Sequence, residues 1–412
     1  LVRRAPAGTV IRNQSSSSRD GGQHRRDESS ARQRCRIVRV DGRPYDRRDR
    51  TRTDEAGEPK LSEQAGLSVV VVTHDSALQI ARSIPAIVAE LRAADELIVI
   101  DNASGDGTAT KVRELAPTAT VIEWSENAGF GAACNAGAIA AGKELLLFLN
   151  PDAVVAPGFR DAIELPLADG RGWDAWQGLV TAGGGSAVNT WGGVVHFTGI
   201  AWAGGAGRPR SEAPSEPGEV AFASGACLAV RRERWERLGG FPAAYFLYHE
   251  DADLGLRIWL GGGRVGIEPR AVCDHDYEFE KGPEKWHYLE RNRHATIVRT
   301  YPLRVAVAAA PALVVLEPVL LVLAAVGGWL PQKLRAYAAT ARALPRLLRE
   351  RRAIREAAAA AGGPLDPAAF AALLGSDLDS EFLGAASRSP LLSALLGLYW
   401  RLARALLGLR SA

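Results

Sequence analysis

Asp152 closes the run Glu144-Leu-Leu-Leu-Phe-Leu-Asn-Pro-Asp152. A carboxylate placed there suits a divalent cation holding a diphosphate, because hard cations take oxygen ligands and share them with phosphates. It could equally cap the segment that follows a strand-ending turn. Further on, Glu250, Asp251 and Asp253 follow the aromatic run Tyr245-Phe-Leu-Tyr-His249 and open a helix. Acidic side chains in a first helical turn meet the macrodipole favourably. That alone leaves three carboxylates beside an aromatic wall unexplained. Asp101, at the end of another apolar run, suits a ribose hydroxyl or a base N–H, or an Asx turn. His275, in Val-Cys-Asp-His-Asp, follows a strand expected to end near Val272. Read alone, it is a structural histidine as readily as a ligand.

The elements that must position these groups follow from hydrophobic periodicity. Strands are expected at Leu67–Val72, Glu96–Ile100, Thr120–Trp124 and Leu145–Leu149, with helices at Ala77–Arg92, from Thr108, and at Phe130–Ala141. Strands alternating with helices imply parallel βαβ units, and Leu145–Leu149 reads as a strand buried on both faces. Pro151 has no N–H for the ladder and ends it. Each strand runs into a polar cluster: Thr73-His-Asp-Ser76, Asp101-Asn-Ala-Ser-Gly-Asp-Gly107, Asn127-Ala-Gly-Phe-Gly131 and Asn150-Pro-Asp152. In such a sheet all four fall on one edge and line a single crevice. No Gly-rich dinucleotide fingerprint follows the first strand and no P-loop occurs, which disfavours nicotinamide, flavin and P-loop chemistry.

The chain has 412 residues and a net charge of +3, with basic ends around an acidic middle. That distribution argues against a nucleic-acid-binding core and suits tails that meet an anionic surface. Cys35, Cys134, Cys227 and Cys273 form no CxxC pair, so a reducing compartment is expected. The chain starts at Leu1 and contains no Met, so its natural start is not visible. Residues 1–65 are expected to form a disordered basic tail without a signal-peptide core. The segment 170–220 is rich in Gly, Trp and Pro; Trp173, Trp176, Trp191 and Trp202 could stack on sugars or simply pack.

The succession Val-Val-Val-Thr-His-Asp75, Val-Ile-Asp-Asn-Ala-Ser-Gly-Asp-Gly-Thr108, Glu-Asn-Ala-Gly-Phe-Gly-Ala-Ala-Cys-Asn-Ala-Gly137 and Leu-Phe-Leu-Asn-Pro-Asp152 resembles family 2 glycosyltransferases, nearest the rhamnosyl- and galactofuranosyl-transferase branch. The resemblance covers roughly 66–300. It implies an α/β GT-A fold, a Rossmann-like, mostly parallel sheet flanked by helices, at 66–302. It also implies inverting transfer from a nucleotide-diphosphate sugar, dTDP- or UDP-linked. Donor binding would fall to Thr73, Asp75, Asp101, Asn102, Ser104, Asn127, Gly129, Phe130, Asn135 and Asn150. Inversion needs a base to take the acceptor's proton, and the family pattern puts it in the Glu-Asp pair: Asp251, with Glu250 as the alternative. Ser224 and Gly225 resemble the family's small residues near the substrates, while Asp253 and Arg257 would orient the helix or meet the acceptor. His275 would join Asp152 in holding Mn2+ or Mg2+. Arg291 and Arg293 could meet acceptor phosphate or form a solvated face.

Residues 303–330 are the most apolar stretch, interrupted by Glu317-Pro318. The length just suffices to span a bilayer, but basic residues on both flanks favour a membrane-dipping hairpin kinked at Glu317-Pro318. A buried soluble helix pair is the alternative. Within 331–412, Leu334–Arg355 and Leu391–Leu409 are expected to be basic amphipathic helices at the interface. A lipid-linked or cell-envelope glycan acceptor, handled at the cytoplasmic face of the membrane, would account for such a tail. Two rivals are transfer directly onto a polyprenyl phosphate and a non-catalytic donor-binding subunit. A nucleotidyltransferase is disfavoured, because no Gly-rich, Arg-containing loop follows the first strand.

Overall fold

Four strands, β1 (Leu67–Thr73), β2 (Glu96–Asp101), β3 (Thr120–Glu123) and β4 (Leu145–Leu149), alternate with α1 (Ile80–Glu90), α2 (Thr108–Leu115) and α3 (Phe130–Ala140). They pair in parallel in the order 3-2-1-4. The computed structural model describes residues 66–275, 282–361, 366–379 and 389–409; the tail expected at 1–65 lies outside them. The strand positions agree with the periodicity to within a residue or so. The first helix starts at Ile80, a few residues later than expected, because His74–Gln79 is occupied by the turn that carries Asp75 and Ser76.

Beyond β4 come β5 (Val154–Val155), α4 (Phe159–Ala168), β6 (Ala175–Ala182), β7 (Ala187–Thr190), β8 (Gly193–Val195), β9 (Ala201–Ala203), β10 (Gly218–Glu219) and β11 (Cys227–Arg231). α5 (Arg232–Leu238), α6 (Glu250–Leu260) and β12 (Val265–Asp274) complete the sheet region. β11 inserts antiparallel between β4 and β6, and β12 lies parallel to β6. The result is a mixed, mostly parallel α/β sheet in the order 10-12-6-11-4-1-2-3. One apolar layer lies on each sheet face. Ile80, Val112 and Ile163 belong to one, and Ala133, Phe148 and Trp235 to the other.

The chain ends in α7 (Glu284–Thr300), α8 (Leu303–Val326), α9 (Leu330–Ala360), α10 (Pro367–Ala372) and α11 (Pro390–Leu406). A third apolar layer joins Phe197, Leu256 and Tyr301 to Val305, Ala309, Phe370 and Trp400. The terminal helices therefore share a core with the sheet region. Glu317-Pro318 does not break the apolar stretch: α8 is one continuous helix of 24 residues, and the chain turns at Gly327-Gly328. Glu317 faces inward, where Arg293 Nη2 donates to it at 2.5 Å and Lys333 Nζ at 2.8 Å. This charge cluster ties the middle of α8 to α7 and α9. Of the positive charges flanking α8, Arg293, Arg299 and Lys333 are buried in ion pairs. Arg304, Arg335, Arg342 and Arg346 remain on the surface.

Candidate functional site

The ends of β1 and β2 form one hydrogen-bonded cluster. Thr73 Oγ1 donates to Asp101 Oδ1 at 2.9 Å, and the Ser104 N–H donates to Asp101 Oδ2 at 3.1 Å. The Asp75 N–H donates to Ser104 Oγ, and Asp75 Oδ1 accepts from the Gly105 N–H at 2.7 Å. Asn102 reaches the next loop, donating to Asn127 Oδ1 at 2.9 Å and accepting from the Ala128 N–H. Thr73, Asp75, Asp101, Asn102, Ser104 and Asn127 thus stand together at the strand ends. Asn135 lies elsewhere: its carboxamide donates to the Phe241 carbonyl and accepts from the Phe241 N–H, each at 2.9 Å. It is a staple between α3 and the segment before α6.

The Glu250-Asp251 pair opens α6 beside this edge. Asp251 is half-buried, accepting from the Gly225 N–H at 3.1 Å and from the Ala252 N–H at 2.8 Å. Glu250 is buried, and its Oε2 has no hydrogen-bond partner among the described residues. Burial, then the neighbouring Asp251, pushes the Glu250 carboxyl well above the carboxylate range. Burial also raises Asp251, opposed by the Gly225 and Ala252 N–H groups that stabilise its charged form. The two carboxyls of the pair thus sit in different surroundings, Glu250 with an oxygen unpartnered among the described residues and Asp251 with two N–H donors.

The loop delivering this pair is strained. Phe246, Tyr248 and His249 have φ of 65°, 70° and 67°, a region side chains rarely adopt and which costs of order 1–3 kcal/mol per residue. Asn292 of α7, fully buried, holds it by donating to the carbonyls of Tyr245, Leu247 and Tyr248 at 3.0, 2.9 and 2.8 Å. Arg291 adds bonds to the Ala244 and Tyr245 carbonyls. Gly129, at φ 88°, presses against the same loop: a Cβ there would lie 2.5 Å from the Phe246 oxygen. Phe130 follows it, donating its N–H to that oxygen at 2.7 Å.

Asp152 and His275 converge from the ends of β4 and β12, with Oδ1 and Nε2 3.1 Å apart. Asn150 Nδ2 also lies 3.1 Å from His275 Nε2. Adjacent ligands about 2.1 Å from one octahedral ion are about 3 Å apart, so the pair fits a shared divalent cation, and its oxygen–imidazole mix suits manganese or magnesium. Glu290, His294 and Glu317 also approach one another closely. Arg293 and Lys333 already neutralise that group, which makes it a structural ion cluster.

A cavity of about 710 Å3 is lined by Asp251, Gly225, Ser224, His275 and Asn150 among others. Asp253 and Arg257, expected to orient the helix or meet an acceptor, lie in the interior away from it. Asp253 is fully buried between Arg257 at 2.6 Å and Arg299 at 3.0 Å. Arg257 also donates to the Leu238 and Gly240 carbonyls. Trp176 is core, and Trp202 reaches the cavity. Sequence reasoning missed Asn292, Trp286 and Trp329. A polar residue on the apolar side of a helix was the only signal for Asn292, and the tryptophans carried none.

Residues 68–238 match the family model described as Glycosyl transferase family 2. The chain carries a family 2 glycosyltransferase domain with the α/β fold described above, and it is a glycosyltransferase. It is similar to N-acetylglucosaminyl-diphospho-decaprenol L-rhamnosyltransferase of Mycobacterium tuberculosis, at 26% identity over 260 residues that cover 56% of this chain and 83% of the relative. Among solved structures, GalNAc-T7 with UDP, GalNAc and Mn2+ aligns at 16% identity and TM-score 0.49, over 60% of this chain and 51% of that one. The mannosyltransferase PcManGT of Pyrobaculum calidifontis, in complex with GDP-Man and Mn2+, aligns at 21% identity and TM-score 0.40, over 85% of this chain and 88% of its own. S. aureus TarS 1–349 with UDP aligns at 16% identity and TM-score 0.44, over 82% and 90%. At such scores the fold assignment rests on the strand order of the chain itself.

Proposed function

We propose that this glycosyltransferase moves one sugar, with inversion, from a dTDP- or UDP-linked donor to a hydroxyl of a lipid-linked or cell-envelope glycan. The observation that carries the reading is the pairing of Asp251, poised to accept a proton at the cavity wall, with the Asp152–His275 pair at the neighbouring strand ends. Asp251 takes the acceptor hydroxyl's proton as its oxygen attacks the anomeric carbon. The bond from that carbon to the diphosphate oxygen breaks, and the nucleoside diphosphate leaves. Mn2+ or Mg2+ held by Asp152 and His275 would supply charge neutralisation to the departing diphosphate. Asp101 and Ser104, linked to each other and to Thr73, offer acceptors and hydroxyls for the nucleoside, and the Gly225 N–H keeps the Asp251 carboxylate aimed. Asn127, Gly129, Phe130 and Asn150 shape the wall between the donor and acceptor sides.

The relative's printed name supports a sugar-diphospho-lipid acceptor. So does α8, whose 24 residues have a mean hydropathy of 2.4 over the most apolar window, only 17% of it buried. Val314, Val315, Val319 and Val322 of α8 and Leu391, Leu395 and Leu402 of α11 face outward, which suits contact with the cytoplasmic leaflet. Asp251→Asn tests the reading: donor binding should persist while transfer drops by about 10²–10⁴-fold. Undiminished transfer would overturn it.

A further inference from the structure

The cavity that holds Asp251 and His275 has a second, apolar wall. Trp286 and Leu289 of α7, Leu320 and Leu323 of α8, and Trp329 form it. Trp286 and Trp329 stack with ring centroids 4.6 Å apart and planes at 14°. The turn between α8 and α9 is shaped for that stack. A Cβ on Gly327 would lie 2.7 Å from Trp329 Nε1, and Gly328 takes φ 75°. Leu323 is 53% exposed. The apolar wall therefore reaches the protein's exterior on the helix whose neighbouring Val319, Val322 and Val326 also face outward.

A sugar alone needs no such wall. Its hydroxyls are served by Asp251 and the polar groups around it, and leucine and tryptophan side chains left facing water are unfavourable. An amphipathic substrate matches both walls together. Its sugar would lie at the carboxylate, while its hydrocarbon chain would cross the tryptophan pair and leave past Leu323, at the end of α8 nearest Trp329. We propose that this wall is the subsite for the first isoprenoid units of a prenyl-diphosphate-linked acceptor. The inference rests on the lipid-linked reading given above and adds the residues that recognise the lipid. Flat aromatic faces and branched leucines suit the planar, methyl-branched isoprene unit, and the subsite would make the enzyme sensitive to the chain nearest the diphosphate.

The test is calorimetric titration of the full chain with farnesyl diphosphate and with isopentenyl diphosphate, both below micellar concentration and with no donor present. The subsite predicts that the longer chain binds at least about tenfold more tightly, since each buried methylene is worth roughly fourfold. Leu323→Asp, at a half-exposed position, should abolish that preference, and Leu320→Ser should reduce it. Val315→Asp, on the outward face of α8 and outside the cavity, should leave it intact. Equal binding of the two diphosphates by the unaltered protein overturns the proposal. So does a preference that survives both Leu323→Asp and Leu320→Ser, or one lost only in Val315→Asp, which would place the chain on the outer face. Nucleotide-sugar binding measured in parallel reports on the transferase reading separately. Its loss would sink that reading while leaving the chain-length comparison interpretable.

Discussion

Replacing Asn292 by alanine should damage catalysis from a residue that touches neither substrate. Its carboxamide makes three bonds to the carbonyls of Tyr245, Leu247 and Tyr248. The amide has two N–H groups to share among them, so at about 1 kcal/mol per N–H their loss costs about 2 kcal/mol. The loop they hold includes Phe246, Tyr248 and His249 at positive φ, and Arg291 would still hold only its Ala244–Tyr245 end. Freed, the loop relaxes toward ordinary backbone, and the start of α6 moves with it. Because Asp251 is aimed from outside α6 by the Gly225 N–H, its other bond coming from the neighbouring Ala252 N–H that moves with the helix, a displacement of about 1 Å suffices to reduce kcat about 10²-fold. The Tm should fall by about 4–8 °C on the scaling for domains of 150–250 residues. Donor KM should change little, since Asp101 and Ser104 sit on β2 and its loop. Steady-state kinetics and a thermal melt on the same preparation give both numbers. An Asn292→Ala protein with wild-type kcat, whatever its Tm, would refute the idea that the clamp positions the base.

Glu250→Gln should raise stability near neutral pH, with the gain vanishing under acid. A carboxyl raised by burial binds its proton in the folded state while the unfolded chain has released it, so stability falls as pH rises from the ordinary carboxylate range toward the raised value. The amide removes that penalty, and melts of both proteins between pH 4 and 8 would expose a constant difference if the reasoning is wrong. Transfer itself should decline on the acid side at a pH above that of an ordinary aspartate, because Asp251 is raised, and a pH–rate profile reads this directly. Chelation should abolish transfer, with recovery on adding Mn2+; Asp152→Asn should raise the Mn2+ concentration needed for half-maximal activity, and an unchanged requirement would remove Asp152 from the metal site. Glu317→Ala leaves two buried cations, Arg293 and Lys333, sharing Glu290 alone and should cost about 3–5 kcal/mol in chemical denaturation. A loss near zero would mean that the cluster relaxes into water.

The alternation of apolar runs and polar ends was sufficient to write β1 to β4 with their helices, because strand and helix periods are local properties of the chain. The same logic placed Thr73, Asp101, Asn127 and Asp152 on one edge, since parallel strands must all end on the same side. The Glu250-Asp251 pair stood out in sequence because it follows an aromatic run, and the choice of Asp251 within it rests on the family resemblance. What depended on tertiary structure were pairings between distant segments. Asp253 and Arg257 read as orienting the helix or meeting the acceptor, and their contacts to each other, to Arg299 and to the Leu238 and Gly240 carbonyls put them in the interior. Asn135 was claimed for the donor and is spent on Phe241. Glu317 read as a break in an apolar run, but Arg293 and His294 of α7 and Lys333 and Tyr337 of α9 meet it on the inner side of a continuous helix. Hydrophobic pattern tells a residue which face it occupies, and only the packed chain decides which charges, carbonyls and rings meet it there.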